Sequence, residues 1–147
     1  MSNLALSIGK APLIRPVAAL AGWTFVMEVW MYATRLPAMS KYKVDLSPDK
    51  VSQDMQTKIP PSVRFKADNY NHLHEQPTVF YAIALSLAVL GDDHPYTVYG
   101  AWAYVAARIA HSVMQATVNK IMVRFQLFAT SSLVLAGLTG RLVQLVY

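Results

Sequence analysis

The chain has 147 residues, enough for one domain, and 54% of them are apolar against 14% charged, too oily a balance for an ordinary soluble domain of that size. Its formal charge of +5 comes without a clustered basic face interleaved with stacking aromatics, which argues against nucleic acid as a partner. No cysteine is present, so disulfides, thiolate metal sites and a protein thiol nucleophile are excluded, and any thiol chemistry must arrive on a bound molecule.

Seven of the thirteen Lys and Arg and four of the eight Asp and Glu lie between Arg35 and Asp68, which leaves long, almost uncharged flanks. Four segments are apolar and long enough to cross a hydrocarbon core of about 30 Å, which needs about 20 helical residues. The first runs from Val17 to Thr34, interrupted by Glu28. Pro12 and Pro16 precede it, where a helix start tolerates proline. Leu36-Pro37 is expected to end it, because the residue before proline is pushed out of the helical region. No small-residue cleavage site follows, so it reads as a retained span rather than a signal peptide.

The polar stretch from Ala38 to Pro61 reads as a loop with one short helix starting near Ser47, where Ser47-Pro48-Asp49 forms a turn or helix start; Pro60-Pro61 is a break. The second span runs from Tyr70 to Leu90 and stops at Gly91-Asp92-Asp93. The third runs from Pro95 to Asn119, and the fourth from Met122 to Tyr147. The expected fold is therefore an all-α integral membrane protein, a four-transmembrane-helix bundle forming one domain.

Loop charge orients it. The 38–66 loop carries Lys41, Lys43, Lys50, Lys58, Arg64 and Lys66, the 119–123 turn carries Lys120 with Arg124 beside it, and the turn from Gly91 to His94 has no Lys or Arg. By the positive-inside rule, loops 38–66 and 119–123 are cytoplasmic and both termini lie opposite, although Lys10 and Arg15 run against this.

Polar groups within the spans carry the functional signal, since each ionisable residue there costs about 2.5–3.5 kcal/mol on insertion scales. Arg108, His111, Gln115 and Asn119 recur at helical spacing and fall within about 80° of one another, one polar stripe on an apolar helix. Asn71 and Glu75 share a face of the second span. Pro77 follows them and deprives the Leu73 carbonyl of its donor, which predicts a bend. Arg35, Arg108 and Arg124, from three spans, are expected to converge with Glu75 of the second; Arg35, Glu75 and Arg124 fall toward the cytoplasmic ends, while Glu28, deeper, is expected to pair with Arg108.

A cationic pocket of this kind suits a small anionic ligand with carboxylates, which arginine grips bidentately, and an apolar substrate can meet it from the lipid side. The same groups can instead pair across helices and lock the bundle; residue types alone leave both readings open. His72 and His74 point about 160° apart on a helix, so no metal site is expected there. Trp23, Trp30, Tyr96, Tyr99, Trp102 and Tyr104 read as interfacial anchors and packing.

The run VAARIAHSVMQATVNKIMVRF, from Val105 to Phe125, resembles the third-to-fourth-span region of the MAPEG family, the membrane-associated proteins of eicosanoid and glutathione metabolism. NYNHLHEQPTVFYA, from Asn69 to Ala82, is similar to the family's Asn-and-Glu motif followed by proline. The resemblance implies a homotrimer of four-helix subunits that binds glutathione between neighbours near the cytoplasmic side, in contact with membrane lipid. It further implies that Arg124 holds and activates the glutathione thiolate, that Arg35, Asn71, Glu75 and His111 fix the tripeptide, and that Arg108 is the arginine one turn before the histidine.

The chain departs from the family pattern at several positions. Eicosanoid-type members have Asn three residues before the Glu, where this chain has His72. Gln115 replaces a tyrosine, and Phe125 and Phe128 stand where a serine and a second tyrosine are found. These changes argue against eicosanoid synthesis. The implied activity is a glutathione-dependent transferase or peroxidase on lipophilic electrophiles. The alternative is a non-catalytic lipid-binding or accessory subunit of a larger membrane complex.

Overall fold

The computed structural model describes residues 12–147; Lys10, invoked above for orientation, lies outside them. Those residues form six helices and no strand: α1 (Ile14–Lys41), α2 (Val51–Thr57), α3 (Pro61–His72), α4 (Gln76–Val89), α5 (Pro95–Ala116) and α6 (Ile121–Val146). Proline opens three of them, at Pro61, Pro77 and Pro95, where a missing N–H costs nothing because the first helical turn has no partner for it.

Four boundaries differ from those the sequence indicates. Helix α1 continues through Pro37 to Lys41, and Ala38, just past the proline, is buried, so tertiary packing overrides the local stop. The expected second span is two helices, because the chain breaks completely at Leu73–Glu75 rather than bending. Pro77 supplies no N–H to the Leu73 carbonyl, and the backbone leaves helical geometry at Glu75, with φ −93° and ψ −99°. The polar stripe ends early: α5 stops at Ala116, and Asn119 takes a left-handed conformation with φ 54°, so it leaves the stripe. The 38–66 loop also holds more structure than one short helix, since α3 begins within it at Pro61.

Gly91 ends α4 as the sequence indicates. Its φ of 75° suits glycine, and the Gly91 and Asp92 amides bond back to the Ala88 and Leu87 carbonyls at 3.1 and 3.0 Å, closing the helix end. Asp92 is then held by Arg141 of α6, through Nε at 3.0 Å and Nη2 at 3.2 Å, and by the Thr97 hydroxyl at 2.9 Å. One carboxylate thereby ties the α4–α5 turn to the far end of α6.

The core has two levels. Near this Asp92 end, Leu20, Phe80, Leu87, Tyr104, Val105 and Leu138 pack together, with Phe80 stacked on Tyr104 at 4.4 Å. A smaller cluster of Met27, Leu73 and Ala116, flanked by Trp23 and Trp30, lies at the level of the α3–α4 break. Helices α5 and α6 form the most extensive pair.

Outside, the chain is apolar. The buried face of α1 is a narrow row of Leu20, Met27, Met31 and Ala38, while Phe25 and Val29 are each 68% exposed. Helices α1 and α6 are both long and apolar enough to cross a membrane. Large hydrophobic side chains left on the outside of such helices require lipid or another apolar surface.

Candidate functional site

The break between α3 and α4 organises the polar interior. A helix end leaves its last carbonyls without intrahelical donors. The freed His72 carbonyl accepts a hydrogen bond from Arg108 Nη2 of α5 at 3.0 Å. Arg108 is 1% exposed, and its Nε and Nη1 have no partner among the described residues. Its guanidinium lies over the Phe128 ring of α6, 5.7 Å from the centroid. The expected Glu28–Arg108 ion pair is not formed: among the described residues the one bond of Arg108 goes to the His72 carbonyl, which the helix break frees as an acceptor.

One turn along α5, His111 is buried beside it, its ring stacked on that of His72 at 6.2 Å and tilted against Phe128 at 6.4 Å. Gln115, also buried, keeps its Oε1 without a partner among the described residues. Arg124, in the first turn of α6, donates through Nη1 to Asn119 Oδ1 and has a buried Nε without a partner.

Two further polar knots lie on the same stripe. The Ser112 hydroxyl oxygen accepts from Asn69 Nδ2 at 2.7 Å and from the Trp23 indole at 2.9 Å, joining α5, α3 and α1. Gln76, at the start of α4, donates to Ser132 at 2.7 Å and accepts from Tyr104 and Ser131, each at 3.3 Å.

The remaining predicted residues sit elsewhere. Arg35 and Asn71 line a cavity of about 530 Å³ between the end of α1, α2 and α3, together with Arg64 and Asp68. Neither Arg108, His111, Arg124 nor Glu75 lines it. Glu75 is exposed at the α3–α4 break, and among the described residues the cavity that Arg35 lines includes neither Glu75 nor Arg124.

The MAPEG family model matches residues 13–144. The chain belongs to the MAPEG family. No curated protein and no solved structure matches it.

Within this MAPEG chain, Asn69 and not the expected Asn71 is the asparagine of α3 in the polar interior. Asn69 is fully buried and bonded to Ser112, whereas Asn71 is exposed on the cavity side. Spacing places Ser112, one turn from Arg108, on the buried side of the stripe, but not which asparagine of α3 it meets. No group of three or more His, Asp or Glu placed to hold a metal ion occurs among the described residues.

Proposed function

We propose that the chain is a membrane transferase or peroxidase that uses glutathione against lipophilic electrophiles. The observation that carries this reading is a surplus of buried donors. Arg108 Nε and Nη1 and Arg124 Nε have no acceptor among the described residues, and a buried unpaired donor costs about 1–3 kcal/mol. Two guanidiniums with spare donors fit an anion, and glutathione offers carboxylates together with the thiol this chain lacks.

When bound, glutathione supplies a thiolate nucleophile. Arg124 acts on it as a fixed positive charge that lowers the thiol pKa, which is what converts a resting thiol into a nucleophile near neutral pH. Arg108 supplies the charge of a water-poor wall in which His111 lies buried beside it, with the Phe128 ring covering the guanidinium. Glu75, Arg35 and Asn71 hold the rest of the tripeptide.

The reading takes α1, α4, α5 and α6 as four spans, with loops 38–66 and 119–123 cytoplasmic. Helix α4 alone has 14 residues, about 21 Å at helical rise, and needs its continuation in α3 to reach across. It also takes three copies as the working unit. What supports association is the division of the site within one chain, with Arg35 and Asn71 on one cavity and Arg108 and His111 apart from it. A neighbouring copy could unite the two halves while covering exposed apolar faces such as that of Phe25 and Val29.

The test is thiol-dependent turnover of a lipophilic electrophile by Arg124→Ala with helicity retained. A loss of about a hundredfold is expected, the scale of removing one charge-stabilising donor; unchanged turnover contradicts the assignment. A second reading, a non-catalytic lipid-binding or accessory subunit of a larger membrane complex, is favoured by Phe125 and Phe128, which put apolar rings where the family pattern has hydroxyls. Purification with tightly held lipid or a fixed set of partners, and no thiol turnover, would establish it instead.

A further inference from the structure

At the end of the bundle away from the basic loops, a groove of about 400 Å³ runs between the start of α5 and the last turns of α6. That volume lies within the usual ligand range of about 300–1,000 Å³. The floor of the groove is apolar. Val134 and Leu138 of α6 form it against the bare backbone of Gly100 on α5, where a Cβ would lie 3.3 Å from Leu138 Cδ2. Gly137, which also lines the groove, is exposed, and a Cβ placed on it would meet nothing within 4 Å. The two glycines thus let the helices approach at the floor and leave the groove open toward the outside.

The mouth is polar. His94 and Tyr96 flank it from the α5 side, and Arg141 and Gln144 from α6. Tyr96 is 82% exposed, its ring 5.3 Å from that of His94, and an exposed tyrosine at the end of a span belongs at the membrane–water boundary. Arg141 spends Nε and Nη2 on Asp92, but its Nη1 makes no hydrogen bond among the described residues. Its side chain is 35% exposed. Asp93, in the turn beside His94, is exposed and forms no ion pair among the described residues. One guanidinium edge and one carboxylate are therefore left uncompensated at the mouth of an apolar groove.

We propose that this groove seats one membrane phospholipid with a zwitterionic ethanolamine headgroup. An acyl chain lies along the floor past Gly100 and Gly137, the phosphate accepts from Arg141 Nη1 and the Gln144 carboxamide, and the ammonium meets Asp93. The change from apolar floor to polar mouth runs from membrane core to membrane surface, as a lipid does, whereas a soluble anion would leave the floor unused. An anionic headgroup would meet Asp93 and an arginine already half neutralised; a headgroup with both charges satisfies both residues. The groove shares no residue with the arginines of the glutathione reading, so the proposal holds whether or not that reading does.

The experiment is native mass spectrometry of the full-length, delipidated protein in detergent, titrated with dioleoylphosphatidylethanolamine or dioleoylphosphatidylglycerol. Wild type is compared with Gly137→Leu and Asp93→Asn. The leucine fills the groove from open space, and an α-helix gains from losing a glycine, so the fold is kept. Wild type is expected to retain one ethanolamine lipid per chain. Gly137→Leu should weaken that lipid about tenfold or more, the scale of displacing about two buried methylenes, with melting temperature and oligomeric state unchanged. Asp93→Asn should weaken the ethanolamine lipid about two- to fivefold, the scale of one exposed ion pair, and leave the glycerol lipid no weaker. No retained ethanolamine lipid in wild type, or equal retention by Gly137→Leu, overturns the site. A changed oligomeric state in Gly137→Leu overturns it in favour of a contact between copies of the chain. Equal retention of both lipids, undisturbed by Asp93→Asn, overturns the zwitterionic assignment.

Discussion

Arg108 of α5 donates to the backbone carbonyl of His72, at the end of α3, across 3.0 Å. This one bond joins the polar stripe to the helix break and leaves two of the guanidinium's nitrogens without partners among the described residues. A group added for stability alone would be better satisfied, since an apolar side chain of similar volume usually matches or exceeds a buried charge in stability.

Arg108→Met is therefore expected to change unfolding stability in detergent by less than about 2 kcal/mol, the lost bond being offset by removal of an under-solvated charge. Glutathione affinity should fall tenfold or more in the same variant, on the order of one charge-assisted contact. Strong destabilisation with unchanged affinity would make Arg108 a structural tie between α3 and α5.

Ser112 is the opposite case. Its hydroxyl oxygen is the acceptor for both Trp23 and Asn69, and all three helices it joins lose a contact if it goes. Ser112→Ala leaves two donors facing a methyl group and should cost about 2–5 kcal/mol of stability. Tryptophan fluorescence during thermal unfolding reads this directly, and a variant as stable as wild type would show that the indole and the amide find other acceptors.

Asp92 and Arg141 predict an acid limb. The guanidinium beside Asp92, with help from Thr97 and the His94 amide, holds its carboxyl below the ordinary value of 3.8. A carboxylate whose folded pKa is depressed contributes stability that is complete above its unfolded value and lost as pH falls through the folded one. The protein should thus be unaffected by Asp92 titration above about pH 5 and lose stability progressively below about pH 4. Asp92→Asn should flatten that limb and cost about 1–3 kcal/mol at neutral pH, between the values for exposed and for buried pairs. Equal acid sensitivity of variant and wild type in detergent melts would refute the role.

Much of the architecture is legible in the sequence because long apolar runs and their stops are local signals. Gly91 ends α4, Pro95 starts α5, and the stripe of Arg108, His111 and Gln115 is buried as helical spacing indicates. What the sequence conceals depends on partners far along the chain. Pro37 fails to end α1 because the turn beyond it packs. Pro77 breaks a helix rather than bending it, and the His72 carbonyl this frees finds a donor 36 residues away. Asn119 obeys the stripe's periodicity but lies past the end of α5, in a left-handed turn that bonds Arg124. Asn69 and Asn71 look alike in sequence; only the position of Ser112 on a different helix separates the buried one from the exposed one. The separation of Arg35 from Arg108 was equally invisible, since periodicity gives the face of a helix and not its neighbours.

The claim that the arginines of α5 and α6 serve a thiolate is tested most directly by the ultraviolet difference spectrum of glutathione bound to the purified protein, compared with Arg124→Ala. The account predicts saturable binding with a thiolate absorption band at neutral pH that the variant loses. Binding without that band, or a band undiminished in the variant, would contradict it.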